Sequence, residues 1–141
     1  MFKILKADEK KYALLLTTDG KVEFVTTDGE DGKILEVARE KIGCEWIECV
    51  YCSDERGNRI CMMIDEEGKL KEEQYMNPIA SWLYETCRHG DPIVGNAMLV
   101  LEGEEDLEYM NGMEVARLAK ECEDNRAIAY ELAMKFLGGA V

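Results

Sequence analysis

The stretch KYALLLTTDGKVEFVTT, residues 11–27, sets two segments of strand composition on either side of Asp19-Gly20. An Asp-Gly pair between such segments is a strong short-range signal for a tight β-hairpin. It commits the chain to antiparallel pairing before any helix has formed, and the preceding FKILKAD reads as a further strand.

The order that follows extends this start. After the acidic loop DGEDG, KILEVAREKIG places Ile34, Val37, Ala38 and Ile42 on one helical face and ends on Gly43, a C-terminal cap. CEWIECVYC and RICMMID read as two strands joined through the turn formers of SDERGN. NPIASWLYETC opens with Asn77 as N-cap and Pro78 at the first helical position, with Ala80, Leu83, Tyr84 and Cys87 as its inner stripe. IVGNAMLVLEG is the last strand expected. NGMEVARLAKEC then begins with a capping box, Asn111-x-x-Glu114, and DNRAIAYELAMKFLGG repeats the device with Asp124 as cap and Ile128, Leu132 and Phe136 as stripe. This order predicts one α+β domain over 1–141. Its mostly antiparallel sheet has about five or six strands, helices on one face and two C-terminal helices.

Composition removes several function classes. With 30 acidic and 17 basic residues the net charge is -13, a field that repels nucleic acid and anionic membranes over a Debye length of about 8 Å. The same acidity suits a module that mimics nucleic acid toward a protein partner. No run approaches the ~18 apolar residues of a membrane span, and MFKILKADEKK lacks an apolar signal region, so a cytoplasmic setting is expected. The six cysteines are then reduced thiols.

Cys44-x4-Cys49-x2-Cys52 matches the spacing of plant-type [2Fe–2S] ligands. In a strand, however, positions three apart point to opposite faces, and Trp46 and Ile47 stand where a cluster loop needs small residues. A lone Cys-x2-Cys likewise lacks the second pair that structural zinc requires, so neither metal nor cofactor is expected. Nor is catalysis. His89 sits at a helix end, where it favours the dipole. Cys87, two residues before it, does not face it. The acidic runs DEEG and EGEEDLE read as solvated turns, and no Gly-rich phosphate loop is present.

Between residues 63 and 100, D-E-x-G-K, N-x-x-A-x-x-L and D-P-I-V-G-N occur in that order, carried by Asp65, Glu66, Gly68, Lys69, Asn77, Ala80, Leu83 and 91–96. The pattern resembles a family of small uncharacterised domains carried by phages, plasmids and Gram-positive gut bacteria, and more loosely the phage anti-Thoeris sponge proteins. The sponge resemblance implies a non-catalytic protein that sequesters a cyclic ADP-ribose-type signal in pockets between protomers. It makes Asn96 the polar anchor. Trp82 or Tyr84 would be the aromatic, and Arg88 or Arg117 the phosphate partner, each chosen by its environment. Each residue also has a structural use: Trp82 and Tyr84 in a core or dimer face, Arg88 at a helix C-terminus, and Asn96 against backbone beside Gly95. Surplus methionines and aromatics add the expectation of a homo-oligomer. The alternative function is the acidic interaction module.

Overall fold

A computed structural model describes residues 10–27 and 33–138. The strand expected in FKILKAD, the DGEDG loop and residues 139–141 lie outside the described residues.

The strands are β1 (Lys11–Leu16), β2 (Val22–Thr27), β3 (Ile47–Ser53), β4 (Arg59–Asp65), β5 (Ala97–Glu102) and β6 (Leu107–Glu108). The helices are α1 (Ile34–Ile42), α2 (Pro78–Leu83), α3 (Thr86–His89), α4 (Gly112–Asp124) and α5 (Arg126–Gly138). All pairings among the described strands are antiparallel, in the order β2-β1-β5-β4-β3, with β6 folded back onto β5.

The Asp-Gly turn closes the first hairpin as its sequence dictates: Gly20 takes φ +85° and donates to the Thr17 carbonyl. The second hairpin turns on Asp54, whose Oδ1 accepts from the amides of Arg56 and Asn58. Helix ends follow the same local rules. Gly43 ends α1 in the left-handed conformation, and Asn111 and Glu114 form a reciprocal capping box on α4.

Burial of the three central strands explains the layers. β1, β4 and β5 are nearly continuous apolar runs, and Ala13, Leu14, Leu15 and Leu16 are all buried. A strand buried at every position needs cover on both faces. Leu14, Leu16, Met62, Ile64, Ala97 and Leu99 meet α2, α4 and α5 on one side. Ala13, Leu15, Cys61, Met63, Met98 and Val100 meet Ile34 and Ala38 of α1 on the other. Each fully buried Leu or Met in these clusters contributes roughly 1.5–3 kcal/mol of transfer free energy. The α+β class, the antiparallel pairing and the two C-terminal helices are as the sequence predicts; the expectation of helices on one face is corrected, since among the described helices α1 covers the second face.

Four local expectations are corrected. The last expected strand begins at Ala97, so Asn96 precedes it, and the short strand β6 follows it. α2 ends at Leu83 rather than running through the ETC segment, because Glu85 adopts a left-handed conformation (φ 60°) and turns the chain into α3. Asp124 closes α4 instead of capping α5; Asn125 stands between the helices, its amide side chain donating to the Glu121 carbonyl. The inner face of α5 is Ala129 and Ala133, flanked by the half-buried Leu132 and Phe136, whereas Ile128 is exposed. Small residues let α5 lie close on α2.

Candidate functional site

A cavity of about 260 Å³ opens between α2, α3 and α5. α5 supplies an apolar wall of Leu132, Phe136 and the two buried alanines. Met76, Pro78 and the indole of Trp82 extend it. Among the described residues that line it, Arg88 is the cation and Glu85 the anion.

Local sequence positions these groups. The Asn77 side chain accepts from the Ala80 amide and fixes the start of α2. One turn later Trp82 emerges from its partly exposed side. The left-handed residue Glu85 then redirects the chain, which places Arg88 on the same opening. A non-glycine residue at positive φ is uncommon and strained, and such residues gather at ligand clamps. Arg88 and Glu85 pair at 3.6 Å with both side chains largely exposed, a link worth at most about 1 kcal/mol. An incoming anion can therefore recruit the guanidinium without breaking a strong pair.

The two hydroxyls on the lining are committed to structure. Ser81 Oγ accepts from the Ile93 amide at 2.9 Å, and Thr86 Oγ1 donates to the Asp91 carbonyl at 3.2 Å. His89 does not line the cavity; its ring stacks on Tyr84 with centroids 4.6 Å apart.

The five residues singled out from sequence do not form one site. Trp82 and Arg88 share the cavity just described. Tyr84 faces a separate groove with Lys69 and Asp91, and Arg117 lines a small hollow with Arg56 and Asn58. Asn96 is not among the lining residues of any of these; its Oδ1 accepts from the Thr18 amide at 3.1 Å and ties the first hairpin turn to the start of β5. The fully buried amide is Asn77, which donates to the carbonyls of Leu16 and Gly95 at 2.9 Å each. The sequence reading saw Asn77 as a cap and missed these two bonds. It also missed Met76, Ser81 and Thr86 as lining. The signal for the cavity was α5 itself, which is apolar nearly all round and so has more apolar face than one packing surface needs.

Residues that carry the resemblance bond in part to one another and in part to their sequence neighbours. Lys69 pairs with Asp91, Lys71 with Asp65 at 2.6 Å, and Asp65 Oδ1 accepts from the Glu67 amide. Asp65, Glu66, Gly68, Lys69 and 91–94 line the Tyr84 groove, about 160 Å³.

A second cleft lies on the far side of Trp82, bordered by Asp54, Glu55, Glu85 and Glu121. Glu121 is 8% exposed and accepts from the Glu55 amide at 3.0 Å. Burial holds its carboxyl above the usual carboxylate range.

The cysteines do not converge on a metal site: Cys49 packs on the α1 face and Cys52 on the other, as alternation along β3 requires. Cys61 stands opposite Tyr51 rather than facing Cys52. Among the described residues no group of three or more His, Cys, Asp or Glu is placed to hold a metal ion, and no helix is long and apolar enough to cross a membrane.

Residues 10–122 match the family DUF3846, described as a domain of unknown function, and the chain belongs to that family. The match ends within α4, so α5 completes the cavity from outside the matched span. No curated protein and no solved structure matches the chain.

Proposed function

We propose that this DUF3846 member is a non-catalytic binding protein that holds a small polar, nucleotide-like ligand intact in the cavity between α2, α3 and α5. The observation that carries the reading is the convergence of Trp82 and Arg88 on one apolar-walled opening. A ring stacked on an indole is the sequence-independent way to hold a base, and a guanidinium is the group best matched to phosphate. The volume lies just below the ~300–1,000 Å³ of drug-sized sites. It suits a base and its sugar, with any phosphate left at the open side near Arg88.

Lack of chemistry on the lining supports binding without turnover. Its hydroxyls are engaged with backbone groups, and His89 is stacked elsewhere. The resemblance over residues 63–100 supports a phage or plasmid setting, in which the ligand is a cyclic ADP-ribose-type or other nucleotide immune signal. The proposal includes self-association, supported by the exposed Tyr130, Met134 and Leu137 on α5.

Incubation with a panel of cyclic nucleotides and cyclic ADP-ribose isomers, followed by heat release and chromatography, should return one compound unaltered. At 100 times its dissociation constant that compound should stabilise folding by about 2.7 kcal/mol. Trp82→Ala and Arg88→Ala should each abolish the shift, while Arg117→Ala leaves it in place. If nothing binds, or only an altered product returns, the reading fails. The acid-bordered cleft around Glu121 then makes a protein-interaction module the better account.

A further inference from the structure

The pairing of β3 with β4 sets Cys49 opposite Met63 and Tyr51 opposite Cys61. Cys49 and Cys61 are therefore diagonal neighbours on adjacent strands, and both pack on the face covered by α1. Diagonal positions lie about 7–8 Å apart between Cα atoms, with side chains able to reach across. Here both side chains belong to the one cluster that packs against α1. The two differ in access, since Cys49 is half-buried and Cys61 fully buried. A reagent from solvent therefore meets Cys49 before Cys61.

We propose that Cys49 and Cys61 are a redox-active dithiol, in which Cys49 is the attacking thiol and Cys61 the resolving one, and whose oxidant is a low-molecular-weight disulfide. In the first step the Cys49 thiolate attacks one sulfur of the external disulfide. A mixed disulfide forms, and one external thiolate leaves. In the second step Cys61 attacks the Cys49 sulfur. A cross-strand disulfide forms, the second external thiolate departs, and the Cys61 proton passes to it. The protein loses two electrons and two protons, and the external disulfide becomes two thiols.

The surroundings favour this division of roles. The neighbouring Cys61 thiol brings the Cys49 thiol down to about 7, and the proximity of Cys49, with burial, pushes Cys61 upward. Among the described cysteine side chains the competing thiols are held back by burial: Cys44 is raised, and Cys52 and Cys122 are pushed up to about 12. A disulfide needs its Cα atoms within about 6.8 Å, less than the usual diagonal spacing, so closure shears β3 against β4. Among the described strands β3 is at the sheet edge, paired to β4 alone. A bond that displaces a strand is of the readily reduced, regulatory kind.

Oxidised glutathione applied to the full chain, followed by peptide mapping, tests the assignment. At pH 7 a thiol titrating near 7 has about 50 times the thiolate of one titrating near 9, and its lower intrinsic nucleophilicity takes back about eight-fold. Cys49 should react at least about six-fold faster than Cys44. The end product should be the chain less two hydrogens, with the Cys49 and Cys61 peptides linked. Cys61→Ala should stop at a glutathione adduct on Cys49, and Cys49→Ser should give neither adduct nor closure at this pair. The assignment is overturned if another cysteine takes the first adduct, if a different pair closes, or if wild type keeps both thiols. The wild-type map decides the matter even if Cys61→Ala does not fold.

Discussion

Asn77→Ala is the substitution whose consequences the structure specifies most fully. The side chain is fully buried and makes three hydrogen bonds, accepting from Ala80 and donating to Leu16 and Gly95. Losing the cap contact costs about 1 kcal/mol. Each of the two carbonyls then loses one donor, at about 1 kcal/mol apiece, the low end for a buried group because a carbonyl can accept a second bond. The sum is about 3 kcal/mol, or roughly 10 °C in Tm for a domain of this size. Asn96→Ala removes a single bond from a half-buried site and should cost about 1 kcal/mol. Urea denaturation of both variants, with the m-value checked for constancy, measures the difference directly. The reasoning is refuted if Asn77→Ala costs less than about 1 kcal/mol, or no more than Asn96→Ala. Asn77→Asp sharpens the test. A carboxyl buried against two carbonyls has its native pKa raised above the ordinary ~3.9, so its protonated form is the one the fold accepts. Stability of that variant should be greatest below about pH 4 and fall as pH rises through the raised value.

Gly20 holds φ +85°, and an added Cβ would run into the Tyr130 hydroxyl. Gly20→Ala should destabilise by about 1–2 kcal/mol from the backbone alone, with a further increment that disappears in a Tyr130→Ala background; equal penalties in both backgrounds would mean the turn does not pack on α5. Burial raises the Glu121 carboxyl, so its ionisation opposes folding as pH rises above the ordinary glutamate range of about 4. Glu121→Gln, which retains the acceptor for the Glu55 amide, should melt above the parent at pH 7–8, with the gain shrinking toward pH 4. A gain independent of pH would point to packing instead.

The features legible in the sequence are those decided within about four residues. The Asp19-Gly20 turn, the Gly43 cap, Asn77 before Pro78 and the Asn111–Glu114 box each satisfy backbone groups of their own segment. Neighbouring residues alone determine that chemistry. The alternation that parts Cys49 from Cys52 is equally local, since successive strand residues face opposite ways. What only tertiary structure decided were bonds between segments far apart in the chain. Asn96 meets the Thr18 amide 78 positions away, and Asn77 meets the Leu16 carbonyl 61 positions away. Both are asparagines beside turns, so composition could not tell which would be buried. The apolar runs ALLL, ICMMI and AMLVL need cover on both faces, yet the element order suggested helices on one, and which helix took which face depended on the crossing paths of the chain. Even the inner stripe of α5 was set from outside. On a helix apolar nearly all round, the periodicity leaves several faces equivalent, and close approach to α2 selected the one bearing Ala129 and Ala133.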